Sequence, residues 1–268
     1  MDERPVVFID SGIGSLPYGD FFRRRNPEER LLCAADRAHF PYGSKPKEQV
    51  ISLVSSITSS LISLYNPKII VLACNTASVS ALDLLREQFP SIPFVGTVPA
   101  IKPAVLLSKS GRVGVLATER TIKAPHTAEI AARYGGDCEI IGEAAPGLVE
   151  FVEHRFAIAS DEERLGAVKP WIDKFKAHRV DALVLGCTHF LLLAKEFQAA
   201  AGESMSICDS LEGVCSRIEF LLDRCNRKLR APPGIGGQEA FIEFTGEAPI
   251  ETHLLNLAAH FGFKAGLF

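Results

Sequence analysis

The chain has 268 residues, room for one large domain or two of ordinary size, and its 47% hydrophobic and 23% charged content is that of a soluble globular protein with a sizeable core. A net charge of −3 with a pI near 6.2 excludes the basic face of a nucleic-acid binder. No apolar run approaches the ~20 residues of a membrane span, and the charged start Met1-Asp2-Glu3-Arg4-Pro5 does not read as a signal peptide.

The seven cysteines, Cys33, Cys74, Cys138, Cys187, Cys208, Cys215 and Cys225, are odd in number and include no C-x-x-C pair. That argues against a disulfide framework, a zinc ribbon and a thiol redox protein, and makes the cytoplasm the expected compartment.

Val6 to Ile9 is the first predicted strand, and it runs into Asp10-Ser11-Gly12-Ile13-Gly14. A dinucleotide loop is excluded there, because Pro17 stands where G-x-G-x-x-G needs its third glycine. A tight loop offering backbone N–H groups to a small anion is expected instead. Arg23-Arg24-Arg25, with Glu28 and Glu29 close behind, reads as a solvated helix end. Pro41-Tyr42-Gly43-Ser44-Lys45 marks a turn.

From Pro46, at the first helical position, Val50, Val54, Ile57, Leu61 and Leu64 recur at amphipathic-helix spacing, closed by Pro67. Lys68 to Ala73 is then a strand leading to Cys74-Asn75-Thr76. Pro93 to Pro99 reads as a crossing between lobes. Val113 to Thr118 resembles Val6 to Ser11, and Val168, Trp171, Ile172 and Phe175 give a second helical stripe. Asp181 to Leu185 is the strand leading to Cys187-Thr188-His189. A second crossing is expected near Gly202 to Asp209, and the Pro232–Gly237 link leads back to the first lobe.

The alternation of β-rich and amphipathic segments predicts an α/β fold. Two similar lobes are expected, each a mainly parallel sheet flanked by helices, related by pseudo-two-fold symmetry with the site between them. The lobes are placed at 1–98 plus 209–268 and at 99–208.

Ligands of open α/β sheets sit beyond the carboxyl ends of the strands, near helix N-termini that favour anions. Asp10-Ser11, Cys74-Asn75-Thr76, Thr118 and Cys187-Thr188-His189 all fall at such strand ends. A single cysteine there reads as a small buried hydrophobe. Two in matching settings read as paired acid/base groups, as inversion of a carbon centre requires. A thiol with a pKa near 8.5 is only about 3% ionised at pH 7, so each needs help. Asp10 is placed to assist Cys74 and His189 to assist Cys187. Cys187-x-His189 has no further ligands at metal-site spacing, so no metal is expected.

The set Asp10-Ser11-Gly12-x-Gly14, Pro41-Tyr42-Gly43, Ala73-Cys74-Asn75-Thr76-Ala77-Ser78 and Gly186-Cys187-Thr188-His189 resembles the glutamate racemases of the aspartate/glutamate racemase superfamily. Asp36, Phe244-Thr245-Gly246 and Leu257 to Phe261 extend the likeness nearly end to end. The resemblance implies a cofactor-independent enzyme that makes D-glutamate for peptidoglycan, with Cys74 and Cys187 as its acid/base residues. It places Asp10, Ser11, Pro41, Tyr42, Gly43, Asn75, Thr76, Thr121, Thr188 and His189 on substrate-contacting positions. It also makes Glu153 an auxiliary catalytic carboxylate.

The implied partner is the small molecule glutamate, with no nucleic acid or membrane, and a homodimer is a possible assembly. Ser15, Glu150 and Leu191 depart from the usual glycine, proline and proline. A sister racemase acting on aspartate or a hydantoin, and an amino-acid binding protein without chemistry, are the alternatives.

Overall fold

Ten parallel strands carry the chain in the computed structural model, which describes residues 2–229 and 239–268. The Pro232–Gly237 link lies outside the described residues. In chain order the strands are β1 (Val6–Asp10), β2 (Leu31–Ala35), β3 (Ile69–Leu72), β4 (Phe94–Gly96), β5 (Arg112–Ala117), β6 (Glu139–Ala144), β7 (Ala182–Leu185), β8 (Ser206–Cys208), β9 (Ala240–Phe244) and β10 (Phe263–Leu267). One sheet has the order β10-β9-β2-β1-β3-β4 and the other β6-β5-β7-β8. The α/β class and the mainly parallel sheets are those expected.

The helices are α1 (Leu16–Arg25), α2 (Lys47–Tyr65), α3 (Asn75–Gln88), α4 (Ile101–Leu107), α5 (Glu119–Lys123), α6 (Pro125–Tyr134), α7 (Pro146–His154), α8 (Asp161–Ala177), α9 (Ala194–Ala201), α10 (Leu211–Arg224) and α11 (Thr252–His260). Two compact units result, Met1–Thr97 with Leu211–Phe268, and Val98–Ser210.

Within each unit the first four strands share one order. β2-β1-β3-β4 corresponds to β6-β5-β7-β8, and the first unit adds β9 and β10 beside β2. The registers also correspond. Val6 lies opposite Ile69 and Val113 opposite Ala182, so Asp10 matches Ala117 and Cys74 matches Cys187.

β1, β3 and β7 are buried at every residue, as continuous apolar runs in parallel sheets require. α2 packs Val50, Val54, Ile57 and Leu61 against Val7, Ile9, Ile70 and Leu72. In the second unit, Ile101 and Ala104 of α4 cover Val113, Val115, Ala182 and Val184. Each large side chain buried this way contributes about 1.5–3 kcal/mol.

Several expectations need correction. Leu64 is 66% exposed, off the buried stripe of α2. That helix starts one residue after Pro46 and ends at Asn66, whose left-handed backbone (φ 45°) stops it before Pro67. The two expected crossings contain strands β4 and β8, because Phe94-Val95 and Ser206-Ile207-Cys208 pair with β3 and β7 despite their Pro and Gly flanks.

The arginine run at the end of α1 is not simply solvated. Arg25 engages Glu212 and Glu219 of α10, and Arg23 engages Asp20 and the Phe261 carbonyl. Glu29 is fully buried and ion-paired with the equally buried Lys68 at the amino-terminal end of the sheet.

Candidate active site

β1 has β2 on one side and β3 on the other, and β5 lies likewise between β6 and β7. Chain connections that diverge from a central strand open a crevice at its carboxyl end, where α/β proteins place ligands. Asp10 ends β1, and Cys74 lies two residues past the end of β3. In the other unit Cys187 lies two residues past the end of β7.

Cys74 caps α3 in extended conformation (φ −141°, ψ 117°), at the end of that helix where the backbone dipole favours negative charge. Cys187 has nearly the same backbone (φ −133°, ψ 135°) but is followed by a 3-10 turn, Thr188–Leu193, before α9. The second thiol therefore lacks a long helix at its back, a difference from the symmetric expectation. Leu191, within that turn, is buried.

Three other cysteines have settings that silence them. Burial pushes the thiol of Cys33 up to about 12, that of Cys208 to about 11 and that of Cys215 to about 12. Cys225 is exposed and Cys138 half-buried, and neither lies at the carboxyl end of a strand. Cys74 and Cys187 each keep 6% exposure just past the carboxyl end of a strand.

In the first unit, Asp10 accepts the Gly12 N–H at 2.8 Å, so one amide of the expected anion loop is already committed to the chain. Ser11 and Ser15 are buried in that loop. Tyr42 is fully buried in the core that includes Cys74, and its hydroxyl donates to Asp36 Oδ2 at 2.5 Å. Burial and the Asp36 carboxylate push its phenol far above the usual range, which keeps it a neutral donor; Cys74 and Asp10 also lie within electrostatic reach.

Pro41 and Gly43 flank Tyr42, half-buried, after a cis Phe40–Pro41 peptide. Asn75 and Thr76 are buried at the start of α3, and Asn75 Oδ1 has no hydrogen-bond partner among the described residues. An acceptor so placed suits a ligand donor. Ser78 ties α3 to the strand ends by donating to the Leu72 carbonyl (3.1 Å) and accepting the Thr97 N–H (2.9 Å).

In the second unit, Glu153 of α7 lies 2.9 Å from His189 Nε2, with both side chains 3% exposed. The carboxylate accepts the Nε2 proton, which orients the ring. Thr188 is buried beside Cys187. Thr118 caps α5, its oxygen 3.0 Å from the Thr121 hydroxyl, while Thr127 donates to the Thr121 carbonyl at 2.6 Å. Glu150 is exposed and pairs with His154 at 3.3 Å.

The geometry thus joins Glu153 to His189 and Tyr42 to Asp36. Sequence reasoning named Asp36 without a role, since nothing local links it to a tyrosine six residues on. Among the described residues no three His, Cys, Asp or Glu side chains gather as a metal centre, and no helix is long and apolar enough to cross a membrane.

A family profile described as Asp/Glu/Hydantoin racemase matches residues 25–212. A glutamate racemase of Treponema pallidum is 39% identical over 96% of this chain and 94% of its own length. One from Sphingopyxis alaskensis is 38% identical over 87% of each. Among solved structures, Escherichia coli glutamate racemase, in complex with L-glutamate and the activator UDP-MurNAc-Ala, is 33% identical with a TM-score of 0.83, covering 98% of this chain and 97% of that one.

Proposed function

We propose that this chain, which belongs to the Asp/Glu/hydantoin racemase family, interconverts L- and D-glutamate by two-base proton transfer at the α-carbon. The observation that carries the reading is the pair Cys74 and Cys187, at matching register positions in two units of one strand order. Inversion takes a base on one face of the α-carbon and an acid on the other, and the proposal gives one face to each thiol.

One cysteine, as thiolate, removes the α-proton while the other, as thiol, protonates the opposite face; the reverse reaction exchanges the roles. The protonation state at rest must therefore differ with the enantiomer bound. The α-proton is weakly acidic, so the carbanion must be stabilised by fixed hydrogen bonds away from water. Asp10 assists Cys74. His189, oriented by Glu153, assists Cys187. Ser11, Pro41, Tyr42, Gly43, Asn75, Thr76, Thr121, Thr188 and His189 hold the substrate.

D-glutamate made this way supplies peptidoglycan in the cytoplasm. The proposed assembly is a homodimer, which sedimentation checks.

The test is incubation of the purified, metal-stripped protein with L-glutamate in D2O. Loss of the α-proton signal with decay of optical rotation is expected. Cys74→Ser and Cys187→Ser should each lower racemisation at least ~1,000-fold with the fold kept, a loss of about 4 kcal/mol of transition-state stabilisation. Each should still exchange the α-proton of one enantiomer. Full activity in Cys187→Ala sinks the two-base mechanism, and exchange confined to aspartate reassigns the substrate.

A further inference from the structure

The segment Phe244-Thr245-Gly246 takes no part in the proton transfer proposed above, yet it ends beside the site. β9 pairs with β2 with Phe244 opposite Ala35, and the Thr245 N–H donates to the Ala35 carbonyl at 3.0 Å, one step past the strand end. That step brings Thr245 to Asp36, 209 positions away in the chain. The Thr245 hydroxyl donates to Asp36 Oδ1 at 2.6 Å and accepts the Ala38 N–H at 3.1 Å.

Asp36 is buried and its carboxylate is fully engaged. Oδ2 takes the Tyr42 phenol at 2.5 Å, and His39 Nδ1 donates from the more exposed side to Oδ1 at 2.9 Å and Oδ2 at 3.1 Å. The Asp36 N–H donates to the Asp10 carbonyl at 2.8 Å, which anchors its backbone to the end of β1.

The neighbouring Arg37 clasps the segment that follows Thr245. Its Nε donates to the Thr245 carbonyl (3.3 Å), Nη1 to the Pro249 carbonyl (3.4 Å) and the Glu251 carboxylate (2.6 Å), and Nη2 to the Glu247 carbonyl. Gly246 adopts φ +102°, and a Cβ there would lie 3.3 Å from Arg37 Nη2. Only glycine turns the chain over the guanidinium without strain. The Thr245-Gly246 dipeptide is thus built to deliver one hydroxyl to one carboxylate oxygen.

We infer that Thr245 is a positioning residue for the racemase site, acting through Asp36 on Tyr42 and so on the Pro41–Gly43 turn. This rests on the functional reading above. A carboxylate with a fixed donor on Oδ1 has one orientation that also offers Oδ2 to Tyr42. Without that donor only the half-exposed His39, shared between both oxygens, is left on Oδ1, so the group is free to turn and the phenol's hold on its turn weakens. Hydrogen bonds to charged groups, at about 1.5–3 kcal/mol, are strong enough for the loss to show as at least tenfold in binding.

The test is steady-state kinetics of the full chain. Thr245→Val removes the donor at similar volume and should raise KM for glutamate about tenfold with kcat within threefold of the unaltered protein. Thr245→Ser restores the hydroxyl and should keep KM within twofold. Thr245→Ala replaces the valine variant should that one not fold. Because Thr245 acts through Tyr42, adding Thr245→Val to Tyr42→Phe should raise KM no further.

Four results overturn the inference: an unchanged KM in both Thr245→Val and Thr245→Ala, a serine variant as impaired as the valine one, a fall in kcat instead of a rise in KM, or independent multiplication of the two defects in the double variant. If the unaltered protein racemises glutamate, those results remove the positioning role alone. If it does not, the functional reading falls and this one with it.

Discussion

Glu153→Gln tests whether the buried Glu153–His189 pair carries charge during the reaction or only holds the ring. The substitution keeps shape and one acceptor at the 2.9 Å contact but removes the negative charge from a site where both side chains are 3% exposed. If His189 stays neutral throughout, the loss is that of an ordinary hydrogen bond, about 1 kcal/mol or roughly fivefold.

If His189 gains charge as Cys187 exchanges its proton, the carboxylate stabilises that state directly. Opposite charges about 4 Å apart attract by about 4 kcal/mol at the effective dielectric of 20 that suits such sites. The amide dipole returns part of this, which leaves a loss of about 2–3 kcal/mol, or roughly 30- to 150-fold in kcat/KM. Proton exchange between His189 and Cys187 requires the larger figure, and orientation of the ring alone the smaller. Circular dichroism assays from both enantiomers measure it, with a thermal melt to establish that α7 still packs on the turn carrying His189. A folded Glu153→Gln protein within fivefold of the unaltered one would refute a charged role for His189.

Two further predictions concern stability. Cys33 is held up to about 12 in the folded chain, against 9.0 when unperturbed, so above about pH 9 the unfolded state loses a proton that the native state keeps. Stability contributed below pH 9 therefore declines through about pH 12; melting temperature should fall over that window, and less steeply in Cys33→Ala, or the site is not protonated as described. Lys68→Met leaves the buried Glu29 unpaired and should cost about 3–5 kcal/mol in denaturant unfolding, most of it recovered in Lys68→Met with Glu29→Gln; no recovery would mean the pair's charges do not matter.

Much of the fold was legible because parallel strands buried on both faces announce themselves as continuous apolar runs. β1, β3 and β7 lie within a residue of where Val6 to Ile9, Lys68 to Ala73 and Asp181 to Leu185 put them. β4 and β8 were not legible, because three-residue strands flanked by proline or glycine carry the composition of a link. Cys74 and Cys187 stood out through repetition of their surroundings. The residues around them divide differently. His189 is two residues from Cys187 and Tyr42 six from Asp36, whereas Thr245 reaches Asp36 only because β9 pairs beside β2, which no local pattern encodes. Glu29 and Lys68 were hidden for the opposite reason, since a charged residue near a helix end is ordinarily solvated.

The two units share a strand order, but the proposed mechanism gives their thiols different helpers. Asp10 in β1 corresponds by register to Ala117 in β5, so the second unit has no carboxylate at that place, and the proposal assigns the assistance there to His189, which Glu153 of α7 contacts. One might expect loss of a helper to slow one direction of racemisation only. Thermodynamics forbids that in kcat/KM: L- and D-glutamate have equal free energies in water, so the two ratios must stay equal in any variant. The asymmetry has to appear in isotope exchange. Measured in H2O, Glu153→Gln should lower kcat/KM equally from both enantiomers; measured in D2O, it should change how much deuterium enters unconverted substrate from one of them and not the other. Equal changes from both sides would mean that Glu153 serves the two thiols alike, and the division of labour between the units would fall.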